Sequence, residues 1–257
     1  MTAAPSPAGV PLREPVNDFT PFGVLAFTTT RAAGDFGLGD PEPSSAVLER
    51  WQALHLELRE AAPRLVNARQ VHGTRILEHG DAWEGWLRVD GADGHVTRAA
   101  GVACAVTVAD CVPVFIAHPL GAVALLHAGW RGTAAHIVAK GIERLAGFGL
   151  DPADLKVHLG PAICGRCYEV GPDVFEQLTG WTTIRNRNVD LRALLAEQAK
   201  ESGVRQMTAS PYCTRCDNER FFSHRAGDAE RQVAVIVSPL THIPADHAST
   251  IAAGGNC

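Results

Sequence analysis

The chain has 257 residues, 46% of them apolar and 20% charged, with a formal net charge of −5. That length and balance suit one large globular domain with a sizeable core. Mild acidity without a run of Lys or Arg argues against a nucleic-acid or anionic-membrane surface, and the most apolar stretch, residues 101–130, is broken by Asp110, Pro113, Pro119 and Gly121 and so does not read as a membrane span.

Residues 1–17 read as a flexible arm rich in Ala and Pro, without the basic-then-apolar layout of a secretory signal, and a cytoplasmic location is the expectation. Residues 18–246 then form a single domain, and 247–257 a flexible tail. A strand is predicted over 24–30. Ser44 and Ser45 can cap a helix whose apolar face carries Leu48, Trp51, Leu54 and Leu58. Residues 64–70 lead as a strand into His72, and 75–78 form a short strand after it. Runs at 102–108, 112–117 and 122–126 are too short and too rich in Val for helices. A single helix over 133–146, capped by Thr133, would bury Ile137, Val138, Ile142 and Leu145. A turn at 151–155, a strand at 157–159, helices at 173–178 and 190–202 and a last strand at 233–238 complete the pattern. Strands and helices mixed without regular alternation predict one compact α/β (α+β) domain with mixed sheets flanked by helices.

Three residues stand where a hydrophobic run meets a Gly or Pro: His72 before Gly73, Cys111 before Val112-Pro113, and His127 before Ala128-Gly129. Two imidazoles and one thiolate are a donor set that suits a catalytic zinc, which keeps a fourth position open. Gly129-Trp130-Arg131-Gly132-Thr133 turns from a strand into a helix, so Arg131 beside a helix start is a candidate anion-binding residue; its alternative is a solvated arginine on a tight turn. Asp110 and Asp93 are candidates for proton transfer. Seven cysteines in a chain without a signal do not suggest a disulfide framework. Cys164-Gly-Arg-Cys167 and Cys213-Thr-Arg-Cys216 form two C-x-x-C pairs. They read either as a structural zinc site, against which the 45 intervening residues count, or as adventitious thiols with one labile disulfide.

Gln70-Val71-His72-Gly73, Ala92-Asp93-Gly94-His95-Val96-Thr97, Val108-Ala109-Asp110-Cys111-Val112-Pro113 and His127-Ala128-Gly129-Trp130-Arg131-Gly132 occur in that order. Gly160-Pro161-Ala162-Ile163, Tyr168-Glu169-Val170-Gly171, Cys213-Thr214 and Phe221-Phe222-Ser223-His224-Arg225 follow. This string resembles the YfiH-type family, also called laccase-like or polyphenol oxidoreductase, over roughly residues 22–238. The resemblance implies one α/β domain with a zinc held by His72, Cys111 and His127. It implies phosphorolysis of purine nucleosides such as adenosine, inosine or methylthioadenosine, with phosphate as co-substrate. Adenosine deamination, and hydrolytic editing of peptidoglycan precursors, are further activities that it implies. The expected partners are small molecules only, with no nucleic acid or membrane, and the expected state is a monomer.

The chain departs from the family pattern in places. Gly34-Asp35-Phe36-Gly37-Leu38-Gly39 stands where Ser-Leu-Asn-Leu is frequent, His224 where Tyr is, and Ala229-Glu230-Arg231 where Thr-Gly-Arg is. Adjacent cysteines often precede the family's Tyr-Glu; here Cys164 is displaced from Cys167, which would explain the C-x-x-C without a second metal. Two other readings compete. One is a Cys/His hydrolase with Cys111 as nucleophile and His127 as base; the other is a zinc-stabilised binding module without turnover. A copper oxidase is disfavoured, because multicopper sites use many histidines, often as His-x-His, and none of the eleven here forms that pair.

Overall fold

The computed structural model of the chain describes residues 11–39 and 44–240. Among them the strands are β1 (Arg13–Pro15), β2 (Leu25–Thr29), β3 (Arg64–Arg69), β4 (Ile76–Glu78), β5 (Gly85–Asp90), β6 (Gly94–Thr97), β7 (Val102–Val108), β8 (Val112–Ala117), β9 (Val123–Ala128), β10 (Lys156–Leu159), β11 (Glu169–Val170), β12 (Arg187–Asn188), β13 (Gln206–Ala209) and β14 (Gln232–Val237). The α-helices are α1 (Ser45–Leu58), α2 (Trp130–Ala134), α3 (Ile137–Ala146), α4 (Pro172–Thr179) and α5 (Leu191–Glu201). Two six-stranded mixed sheets carry the fold, in the orders β1-β2-β14-β7-β3-β5 and β13-β10-β8-β9-β6-β4.

Side-chain alternation along the central strands shows how the sheets stack. On β7, Val102, Cys104, Val106 and Val108 pack with Phe115 and Ala117 of β8 and Val123 and Leu125 of β9, between the sheets. Ala103 and Ala105 face the other way, onto Trp51, Leu54 and Leu58 of α1. Val112, Val114 and Ile116 of β8, with Ala124 and Leu126 of β9, meet Ile137, Val138 and Ile142 of α3 and Leu195 of α5. The order is therefore helix, sheet, sheet, helix. Strands covered on both faces read as apolar runs without polar alternation, as β8 and β9 do. Burying Phe115 or Leu125 completely contributes about 1.5–3 kcal/mol each. Gly141 of α3 stays small because a Cβ there would lie 2.7 Å from Leu126.

The connections place the site. β3, β5 and β7 lie in the first sheet, and the strands that follow them, β4, β6 and β8, lie in the second. The chain thus steps from sheet to sheet after Arg69, after Asp90 and after Val108. Antiparallel pairing sets Gly94 of β6 against Leu126 and Val112 of β8 against Ala128, so two of these steps arrive where β9 ends.

Three expectations need correction. Arg13–Pro15 pairs with Thr29–Phe27 of β2, so ordered structure begins inside the expected arm; residues 1–10 and the 247–257 tail lie outside the described residues. The helix expected over 133–146 is two helices, because His136 adopts φ 58° and breaks the first. Thr133 caps neither, since its hydroxyl donates back to the Gly129 carbonyl at 2.9 Å. The strand β5 was not anticipated at all.

His79, just after β4, meets His95 of β6 with 2.9 Å between Nε2 and Nδ1. Burial pushes His79 down to about 4 and His95 to about 3, from an ordinary value of 6.5. The unfolded chain therefore takes up protons first, and stability present above pH 6.5 is lost as pH falls toward those values. The melting temperature is expected to drop between about pH 6.5 and 4, and less steeply in a His79→Gln/His95→Gln double variant; equal slopes in the two proteins would contradict this.

Candidate metal centre and cleft

His72 lies in the first step between sheets and Cys111 ends the third, directly before β8, while His127 sits on β9 opposite Pro113. The structure brings these three together: one ligand atom from each lies within 4.8 Å of the others. The two imidazole rings stand 4.8 Å apart, near perpendicular at 75°. His127 is buried, Cys111 half-buried and His72 exposed, so the trio has a closed side and an open side.

Asp93, from the second step, organises the trio. Its side chain is fully buried. Oδ1 accepts from Nδ1 of His127 at 2.9 Å and from the backbone N–H of His72 at 2.9 Å. Oδ2 accepts from the N–H groups of Gly73 at 2.7 Å and Val71 at 3.2 Å. Burial alone would push this carboxyl up; the hydrogen bond and charge of His127, with the backbone donors, outweigh it and hold the group below the usual carboxylate range. With Nδ1 engaged, Nε2 of His127 is the nitrogen left for a ligand bond, the usual arrangement for a metal-binding histidine. The same carboxylate steadies His72 at φ 58°, a left-handed conformation that costs a non-glycine residue about 1–2 kcal/mol.

Cys111 is set by a second carboxylate. Asp110 has φ 81° and turns the chain between the sheets. Its Oδ1 accepts from Thr214 Oγ1 at 2.6 Å and its Oδ2 from the Arg225 N–H at 2.7 Å. Both oxygens are engaged, which suits a positioning residue better than the proton carrier offered by sequence. Burial pushes the Cys111 thiol up, but the neighbouring His127 and His72 overcome it and bring it down to about 6. Burial likewise opposes protonation of His127, yet Cys111 and Asp93 raise it to about 9. Both shifts run toward a thiolate beside an imidazolium, and either a proton on His127 or a bound cation would balance the thiolate.

The donor set and the space beside it fit zinc. A Cβ added to Gly129 would lie 3.0 Å from Sγ of Cys111 and 3.2 Å from Cδ2 of His72, so a side chain there would crowd the ligands. A cavity of about 1060 Å³ opens over the trio, with His72, Cys111 and His127 in its lining. Arg69, Arg88 and Arg231 line it too, with Asp35, Asp90 and His224. Asp35 holds the Arg231 backbone through Oδ1 at 2.8 Å, and Arg69 pairs with Asp90 at 2.5 Å. Arg131 is not among the lining residues: α2 is only five residues long, and the Arg131 guanidinium stacks on Trp130 at 4.2 Å. The three lining arginines escaped sequence reading because they come from separate parts of the chain; only Arg231, next to a departure from the family pattern, carried a local sign.

A family model described as multi-copper polyphenol oxidoreductase laccase matches residues 28–238. The chain is 35% identical over 205 residues to purine nucleoside phosphorylase ORF3 of Streptomyces griseus, covering 75% of this chain and 82% of that one. It is 32% identical over 232 residues to adenosine deaminase RL5 of an unknown prokaryotic organism, covering 79% and 88% respectively. The crystal structure of the hypothetical protein YfiH of Bacillus licheniformis superposes with a TM-score of 0.81 at 25% identity, over 92% of this chain and all of that one.

Replacing Asp93 with Asn keeps the size but turns an amide N–H₂ toward groups that are themselves donors. Zinc affinity, measured by competition with a chelating dye, is expected to fall about 10–100-fold. Wild-type affinity in Asp93→Asn would remove Asp93 from the account of the centre.

Proposed function

We propose that this chain, which belongs to the multi-copper polyphenol oxidoreductase laccase family, is a zinc-dependent purine nucleoside phosphorylase that also deaminates adenosine. The observation that carries the reading is the His72–Cys111–His127 donor set on the floor of a cavity walled by Arg69, Arg88 and Arg231. The activities named for the two relatives, phosphorolysis and deamination, both act on purine nucleosides and give the substrate class.

Zinc held by His72, Cys111 and His127 would act as a Lewis acid toward a substrate oxygen and lower the pKa of a bound water. Phosphorolysis forms a bond from a phosphate oxygen to C1′ of the sugar as the bond from C1′ to the purine nitrogen breaks, and the leaving base takes up a proton. The protein's part is to hold phosphate and nucleoside in line and to offset developing charge. Arg88 and Arg231, with Arg69 already paired to Asp90, would add positive charge on the cavity side of the centre, beside the phosphate-holding role proposed for Arg131. Asp93 and Asp110 already accept two or more hydrogen bonds each and act by fixing the ligands. His224 is the imidazole in the cavity lining outside the trio, and it adjoins Arg225, whose N–H anchors Asp110. A monomer is sufficient for this chemistry, since the trio and the cavity are built from one chain.

Multicopper oxidase chemistry is a poorer match, because it needs further copper sites rich in histidine, and among the described residues the groups that could hold a metal are this trio and a set of four cysteines. One observation favours a second reading: the lowered Cys111 and raised His127 make a nucleophile–base pair of the kind a hydrolase would use, and a peptidoglycan precursor would then be the substrate.

Purified protein given adenosine or inosine with phosphate is expected to release adenine or hypoxanthine and ribose 1-phosphate, with inosine and ammonia as a second product set from adenosine. Cys111→Ala is expected to lose its zinc from this centre and more than about a hundredfold in rate. Activity that survives chelation, with covalent labelling of Cys111, would replace this reading with the hydrolase.

A further inference from the structure

We propose that Cys164, Cys167, Cys213 and Cys216 form a second, structural zinc site that ties together the two loops supporting the Cys111 turn. One Sγ from each lies within 4.8 Å of the other three, and all four are free thiols. Zinc–sulfur bonds of about 2.3 Å set tetrahedral S···S edges of about 3.8 Å, and the Cys167–Cys216 edge is 3.4 Å. Each pair has the two-residue spacing that lets consecutive cysteines grip one ion from a tight turn. The backbone supports anionic sulfur: the N–H groups of Cys164 and Cys216 both point at Sγ of Cys213, at 3.3 and 3.4 Å. Four thiolates this close need a soft cation between them, and an all-sulfur tetrahedral set selects zinc over the hard divalent ions.

The fold explains a spacing that the usual zinc-ribbon template does not. β10 and β13 run parallel, with Lys156 opposite Gln206 and Leu159 opposite Ala209. Their loops therefore leave from the same end. An isolated parallel bridge joins Ala162 to Cys213, and the Thr214 N–H donates to the Ala162 carbonyl at 3.2 Å. Parallel pairing of two distant strands delivers both C-x-x-C turns to one place, whatever the number of residues between them.

This second site is separate in its ligands from the His72–Cys111–His127 centre and does not rest on the function proposed above. The two meet through Asp110. The loop of Cys164 supplies the Ile163 N–H to the Asp110 carbonyl at 3.1 Å, and the loop of Cys213 supplies Thr214 Oγ1 to its carboxylate at 2.6 Å. A zinc clip across the loops would keep both donors on Asp110.

Metal analysis of the full chain decides the matter. Wild-type protein is expected to hold two zinc ions, Cys111→Ala to keep one, and Cys216→Ser to lose one. Cys216→His, which restores a ligand at this exposed position, is expected to regain it. Cobalt-loaded Cys111→Ala is expected to show the thiolate charge-transfer and tetrahedral ligand-field bands of an all-sulfur site. Cys111→Ala that binds no zinc and leaves all four thiols open to alkylation would overturn the proposal. A Cys167–Cys216 disulfide, seen as a two-hydrogen mass loss in freshly purified Cys111→Ala, would overturn it as well. Neither of these outcomes depends on Cys216→Ser folding.

Discussion

The buried carboxylate of Asp93 is the interaction on which the rest of the centre depends. Four donors converge on it: one imidazole and three consecutive backbone N–H groups. A charge with no exposure is costly unless it is matched, and here the match is built in. With the trio protonated, the His127 imidazolium supplies the opposite charge; with a cation bound, the metal does. Removing the carboxylate would strand the buried His127 Nδ1–H, at a cost of about 1–3 kcal/mol, and would release the left-handed turn at His72 at the same time.

Polar chemistry and apolar packing are divided between different parts of the same chain segments. The central strands hold Val, Ala, Leu and Ile between the sheets or under the helices. The steps between sheets hold His72, Asp93 and the Asp110–Cys111 turn. Two of the three non-glycine residues with positive φ among the described residues are His72 and Asp110, so backbone strain is concentrated beside the ligands. A rigid sandwich with hydrogen bonds at each step holds those conformations in place.

Much of this was legible in the sequence, and the remainder was hidden for identifiable reasons. Cys111 and His127 stand at the ends of buried strands and His72 in the link after one, each near Gly or Pro; that local signal singled them out, and the ordered family motifs joined them into one set. Asp93 was visible as a turn residue and a candidate for proton transfer but not as the partner of His127, because that role depends on three segments meeting. The helix that carries Arg131 stops after one turn at a left-handed His136, a break that no Gly or Pro announces. The wall of arginines comes from β3, β5 and the approach to β14, and no periodicity links positions that far apart. The four cysteines were discounted on spacing, although parallel pairing of β10 and β13 makes that spacing irrelevant.

His127 is rooted in a strand of one sheet, while His72 and Cys111 hang from the links that join that sheet to the other. The bite between Cys111 and His127 is therefore set by the register that puts Val112 of β8 opposite Ala128 of β9, while His72 reaches the pair through the link held by Asp93. Phe115 and Leu125 of the same two strands are buried between the layers. Close packing transmits a change of their volume as a shift of whole strands rather than absorbing it locally. The spacing of the three candidate ligands is thus a property of the sandwich filling as well as of the ligand residues, and two chains with the same ligand residues but different inter-sheet residues need not space them equally.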